Sequence, residues 1–105
     1  KYPKSTKLWN LKGVASLSIG NIKQAVIAFD RSIQIDPLSA DSYYNLGIAL
    51  QKMGNYSDAV INFKQSIRIN PNYIEAYGSV AKIYEQDKDF DNAIYYYKKI
   101  LSQVP

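Results

Sequence analysis

Cysteine and histidine are both absent from the 105 residues. Their absence removes disulfides, thiolate and imidazole metal ligands, and the usual nucleophile–base pairs. A chain without cysteine fits a reducing compartment, and a cytoplasmic location is expected. Long apolar runs are missing too, and none approaches the roughly 18 residues that cross a bilayer, so no membrane contact is expected. The opening residues Lys1-Tyr2-Pro3-Lys4-Ser5 lack the apolar stretch of a secretory signal. Five glycines are scattered, and none forms a phosphate-cradling loop. Enzyme chemistry and a cofactor are therefore not expected. The acids Asp87, Asp89 and Asp91 alternate, but the glycine and closing glutamate of a calcium loop are missing. They read as a solvated turn with acids placed favourably at the next helix N-terminus, and no metal is expected.

Charge of one sign is scarce at each end. Lys1, Lys4, Lys7, Lys12 and Lys23 all precede the first acid, Asp30, whereas Glu85, Asp87, Asp89 and Asp91 are interrupted only by Lys88. The net charge is +4. A nucleic-acid face gathers its bases with planar side chains between them; here the later bases alternate with acids, so no nucleic-acid partner is expected.

Proline occurs only four times, at Pro3, Pro37, Pro71 and Pro105, each 34 residues after the last. A fixed period of this length marks stacked copies of one supersecondary unit. At the same interval stand Trp9, Tyr43 and Tyr77; Gly13, Gly47 and Ala81; Ala25, Ala59 and Ala93; Phe29, Phe63 and Tyr97; and Ser32, Ser66 and Ile100. The pattern describes two antiparallel helices. A small residue on the first lets the second approach, aromatics fill the space around that contact, and proline ends the unit.

In the second unit, Tyr43, Leu46, Gly47 and Leu50 fall on one helical stripe, then Ala59, Val60, Phe63 and Ile67 on another. Gly20-Asn21 and Gly54-Asn55 suit a helix end that needs positive φ; Lys88-Asp89 stands there in the third unit, which should be strained or looser. Helices are expected at 6–19, 22–35, 40–53, 56–69, 74–87 and 90–103.

The set Trp9, Gly13, Ala25, Phe29, Ser32 and Pro37, with two further copies, resembles the tetratricopeptide repeat family over essentially the whole chain. The resemblance implies an all-α, right-handed superhelical solenoid: one array over 1–105, with the tail of a preceding repeat at 1–5 and repeats at 6–39, 40–73 and 74–105. One departure is Lys12, where Leu46 and Val80 give the aliphatic residue usual in the family. Either its stem snorkels along the core edge, or the helix is rotated so that Leu11 takes over.

The resemblance further implies that first helices line a concave groove holding a protein or peptide ligand. The facing residues would be Lys7, Asn10, Leu11, Val14, Leu17 and Ser18, then Asp41, Tyr44, Asn45, Ile48, Gln51 and Lys52, then Glu75, Gly78, Ser79, Lys82, Glu85 and Gln86. The central group combines apolar anchors with a side chain that satisfies a peptide backbone. The candidate site is Tyr44, Asn45, Ile48 and Lys52, flanked by Asn10, Val14 and Lys82. Tyr44, Ile48 and Val14 equally suit packing between repeats. The family's carboxylate clamp for heat-shock chaperone tails would map to Asn10, Val14, Asn45, Glu75 and Ser79, of which only Asn45 has the required type, and Glu75 would repel a carboxylate. An asparagine ladder, as in arrays preceding sugar-transferring domains, would map to Leu11, Asn45 and Ser79 and is interrupted. The tract around Leu8-Trp9-Asn10-Leu11 is nonetheless similar to the start of such arrays. The expected function is a non-catalytic binding scaffold, with an arm that positions partners for a transferase domain as the alternative.

Tyr43, Tyr77, Tyr84 and Tyr97 occupy core positions of the pattern, and Tyr95 and Tyr96 its outer side. Both ends look uncapped, with Ile94 and Leu101 placed where another helix would pack. The chain is expected to be a segment of a longer protein, or to self-associate through these ends.

Overall fold

The computed structural model describes residues 4–104; Lys1, Tyr2, Pro3 and Pro105, with the expectations attached to them, lie outside the described residues. Six helices follow one another: α1 (Thr6–Ser18), α2 (Ile22–Ile35), α3 (Ala40–Lys52), α4 (Tyr56–Ile69), α5 (Ile74–Gln86) and α6 (Phe90–Gln103). The second helices match the expected spans, and each first helix ends one residue early.

The reason is the same turn, made three times. Asn21 N–H donates to the Ser16 carbonyl at 2.8 Å, Asn55 to Leu50 at 2.9 Å and Asp89 to Tyr84 at 2.9 Å. Such a closure requires one left-handed residue. Gly20 (φ 80°) and Gly54 (φ 84°) supply it, and in the third unit Lys88 adopts φ 61°. The strain expected at Lys88 is thus located on its backbone. Four of the six N-termini are capped by side chains: Ser5 accepts from Leu8 N–H, Ser39 from Ser42, Asn55 from Asp58 and Asp89 from Asn92. Asp89 is therefore a helix cap in a turn of acids. Between units, Asp36 and Asn70 each accept from the N–H two residues on, at 3.0 and 3.1 Å, shaping the links around Pro37 and Pro71.

The fold is an all-α solenoid of antiparallel helix pairs, 47 × 28 × 19 Å in extent. Its core lies between successive pairs, not in one central mass. Ala25 and Phe29 of α2 cluster with Leu46 and Ala49 of α3. Ala59 and Phe63 of α4 cluster with Ala76, Val80 and Ile83 of α5. Phe29 and Phe63 are fully buried, each stabilising by about 1.5–3 kcal/mol relative to an exposed ring. No helix among the described residues is long and apolar enough to cross a membrane.

Several side chains sit elsewhere than the pattern implied. Leu11 is 67 % exposed, so α1 is not rotated to bring it in. Lys12 is exposed, with its ammonium 5.1 Å from the Trp9 ring centroid. Tyr77 is buried, Tyr43 and Tyr84 are half-buried, and Tyr97 on the last helix is exposed. Tyr96 corrects the reading of an outward residue: its ring lies 5.9 Å from Tyr84 and 6.2 Å from Tyr77, between α5 and α6. Tyr95 does point out.

Candidate functional site

Besides its contacts with α2, α1 touches α3 directly, whereas neither α3 with α5 nor any pair of second helices among the described residues approaches to a comparable extent. Two hydrogen bonds link the first helices. Asn10 Nδ2 donates to Ser42 Oγ at 3.1 Å, linking α1 to α3. Tyr73 donates to Asp41 Oδ1 at 2.5 Å, linking the start of α5 to α3. Burial first, and then this hydrogen bond, push the Tyr73 hydroxyl well above the ordinary tyrosine value.

Tyr44 stands on α3, the middle of the three first helices. Its ring lies 5.1 Å from that of Tyr73 and 5.6 Å from that of Phe63. Tyr44 and Ile48 are half-buried and pack against the cluster between α4 and α5. Both side chains therefore serve the junction between pairs while keeping part of their surface exposed. Asn45 is half-buried beside them and takes no part in the hydrogen bonds that join the helices. Lys52 and Lys82 are exposed, and Val14 is 44 % exposed on α1. Leu17 is half-buried against Ala25 and Phe29 and belongs to the core.

Asn10 has a different role from Asn45. Its amide joins a buried cluster in which Ser42 Oγ also meets Ser32 Oγ at 2.7 Å and donates to Ser39 Oγ at 2.8 Å, and Ser32 reaches the Thr6 carbonyl at 3.3 Å. Asn10 Oδ1 is buried without a partner. The side chain is thus held by the junction between the first two pairs. This was not legible from its position in the repeat, which carries no information about Ser42 reaching it from the next pair.

A cleft of about 530 Å³ opens at one edge of the stack, lined by Tyr56, Ser57, Val60, Ile83, Tyr84, Gln86 and Asp87. It lies where the start of α4 meets the end of α5, and Gln86 is its point of contact with the expected groove residues. On its Tyr84 side, Lys64 Nζ donates to Tyr84 Oη at 2.9 Å and lies 5.4 Å from that ring; this bond holds the ammonium above the ordinary lysine value. Nothing in the repeat pattern pointed to the cleft, since Tyr56 and Tyr84 come from different units. Among the described residues, no three acidic side chains gather as a metal site would require.

Family models match the chain from residue 13 to 103: one described as TPR repeat over residues 13–54, and two described as Tetratricopeptide repeat over 40–73 and 74–103. No curated protein matches the sequence. Among solved structures, one described as the crystal structure of MamA is 32 % identical, with a TM-score of 0.92 over 95 % of this chain and 58 % of its own. A second MamA structure is 32 % identical, with a TM-score of 0.88 over 95 % of this chain and 55 % of its own. The chain thus spans little more than half the length of these proteins. The second TPR of Spaghetti (RPAP3), bound to the HSP90 peptide SRMEEVD, is 18 % identical, with a TM-score of 0.87 over 94 % of this chain and 92 % of its own; at that identity the likeness is one of fold.

Proposed function

This chain belongs to the tetratricopeptide repeat family, and we propose that its concave face is a non-catalytic binding groove for an extended protein segment. The observation that carries the reading is the centre of α3. There an amide free of the inter-helix hydrogen bonds, Asn45, stands beside two side chains, Tyr44 and Ile48, fixed by packing on one side. Anchors already held in place lose little rotamer freedom on binding. Asn45 would donate to and accept from the ligand backbone, Tyr44 and Ile48 would receive apolar side chains, and Lys52 and Lys82 would favour acids. Val14 would extend the apolar strip, and Asn10 would act from behind by holding α1 against α3.

That the RPAP3 domain holds a peptide supports use of this fold in this way. The ligand itself should differ. Of the positions that would clamp a terminal carboxylate only Asn45 fits, and Glu75 opposes it, so the groove suits an internal segment with apolar and acidic residues. A second contact is supported at the far end of the stack, where Phe90, Ile94, Tyr97 and Leu101 are all exposed: self-association through α6.

Selection of a random peptide library on the chain, followed by titration of the selected peptides into Asn45→Ala and Tyr44→Phe, tests the groove. Asn45→Ala should weaken binding at least about tenfold, the scale of one lost hydrogen bond to a desolvated partner. Tyr44→Phe keeps the ring packing and should keep the fold. Unchanged affinity in Asn45→Ala would move the site away from α3.

A further inference from the structure

The edge cleft between α4 and α5 lies where the second junction departs from the first. Val60 and Ile83 line its more covered part, as Val26 and Ala49 stand 34 residues earlier. The other lining positions change together. The aliphatic Ile22 and Leu50 of the first junction give way to Tyr56 and Tyr84, and Met53 gives way to Asp87. Both lysines there become neutral, Lys23 to Ser57 and Lys52 to Gln86. Two bases and no acid are thus replaced by one acid and no base, around a space of about 530 Å³.

We propose that this cleft is a binding site for the guanidinium of an arginine side chain carried by a partner protein segment. Aromatic faces attract a cation, and one already rests on this wall. The Lys64 ammonium lies 5.4 Å from the Tyr84 ring centroid and 5.9 Å from that of Tyr96. Lys64 stands outside the lining, held by its hydrogen bond to Tyr84 Oη at 2.9 Å. Its charge has the guest's own sign and directs the guest to the Tyr56 and Asp87 side. Among the described residues lining the cleft only Asp87 is charged, and its carboxylate can accept a fork of two parallel N–H bonds. The Ser57 hydroxyl and the Gln86 amide oxygen are further acceptors. A guanidinium has five N–H donors to divide among these groups, an ammonium three. Its flat, weakly hydrated face also suits the exposed ring of Tyr56, while the guest's methylene stem would cover Val60 and Ile83. An anion would be opposed by Asp87, and an apolar guest would strip water from that carboxylate without replacing it. The cleft touches the groove residues only at Gln86, so this inference does not rest on the groove.

Titration of Nα-acetylarginine amide into the isotope-labelled chain, read by amide chemical shifts, tests the inference. The expected result is a saturable movement of the Tyr56, Tyr84, Gln86 and Asp87 signals. The neutral citrulline amide should not reach saturation, and the lysine amide should bind more weakly. Asp87→Asn should weaken the arginine probe at least about tenfold, the scale of charged hydrogen bonds lost. Tyr56→Ile, which restores the residue type of the first junction, should weaken it roughly two- to fivefold through the missing ring face. Both positions are exposed, and circular dichroism verifies that each variant stays helical. Equal saturation by the citrulline amide would show that the cleft takes shape and not charge, and would overturn the proposal. Equal affinity for the lysine amide would overturn the guanidinium assignment while keeping a cation site. Absent shifts, or shifts spread over Glu85, Asp89 and Asp91 without saturation, would overturn both. None of these outcomes involves Tyr44 or Asn45, so the groove stands or falls separately.

Discussion

A Cβ added to Gly47 would stand 2.6 Å from Cε1 of Phe63. The ring of α4 rests where a side chain on α3 would begin, and this contact sets how closely the two helices approach. Gly13 and Phe29 repeat the relationship in the first pair. In the third pair the position is Ala81, which has that Cβ, and the aromatic is Tyr97, exposed and bonded to Glu85. The pair thus varies as a unit. Gly47→Ala should destabilise the chain by about 1–3 kcal/mol through overpacking, read as a lower urea midpoint with an unchanged slope. A midpoint equal to the wild type would mean that Phe63 yields without cost.

Lys88 holds the left-handed backbone that Gly20 and Gly54 hold in the earlier turns. A side chain in that region costs roughly 1–2 kcal/mol, partly offset by the extra freedom of glycine in the unfolded chain. Lys88→Gly should therefore raise the melting temperature, a stabilisation of about 1 kcal/mol. A lower melting temperature would show that the Lys88 side chain contributes more than its backbone loses.

Ser42 joins three partners at the first junction, Asn10, Ser32 and Ser39. Ser66 makes one inter-helix bond, to the Ala40 carbonyl at 2.9 Å. Removing a buried group that satisfies several others leaves them unpaired, at about 1–3 kcal/mol, against about 1 kcal/mol for one bond lost. Ser42→Ala should therefore lower stability more than Ser66→Ala in denaturant unfolding. Equal losses would show that water replaces Ser42 among its partners.

Stability should also fall in alkali through Tyr73. Its folded-state proton is held beyond the ordinary value of 10.0, by burial first and then by the bond to Asp41. Below pH 10.0 both folded and unfolded chains keep the proton, and the full contribution is present. Above it the unfolded chain releases its proton first, so the contribution shrinks as pH rises. Tyr73→Phe should lose stability less steeply in that range, as measured by urea midpoints at increasing pH. Parallel curves for the two proteins would remove Tyr73 from the alkaline transition.

The pairs and their spans were legible because the period of 34 residues places Gly13, Ala25 and Phe29 in phase three times, and packing obeys that phase. The family and the solenoid follow from the same spacing. The ends were less legible. Tyr97 read as core because its counterparts Phe29 and Phe63 are core, yet burial there depends on a following first helix. Asn10 read as a groove residue because position alone carries no information about Ser42 meeting it from the next pair. The edge cleft by Tyr56 and Tyr84 arises between successive units, from residues that the repeat pattern does not place together. Contacts within a repeat are written in its pattern, whereas contacts made by its exceptions need coordinates.

The central claim is best tested by amide chemical shifts recorded while a library-selected peptide is titrated into the isotope-labelled chain. Binding as described here moves the signals of Val14, Asn45, Ile48, Lys52 and Lys82 together, with those of Ile27, Ile61 and Tyr95 on the second helices unmoved. Shifts confined to the second helices, or to the cleft around Tyr56 and Asp87, would contradict it.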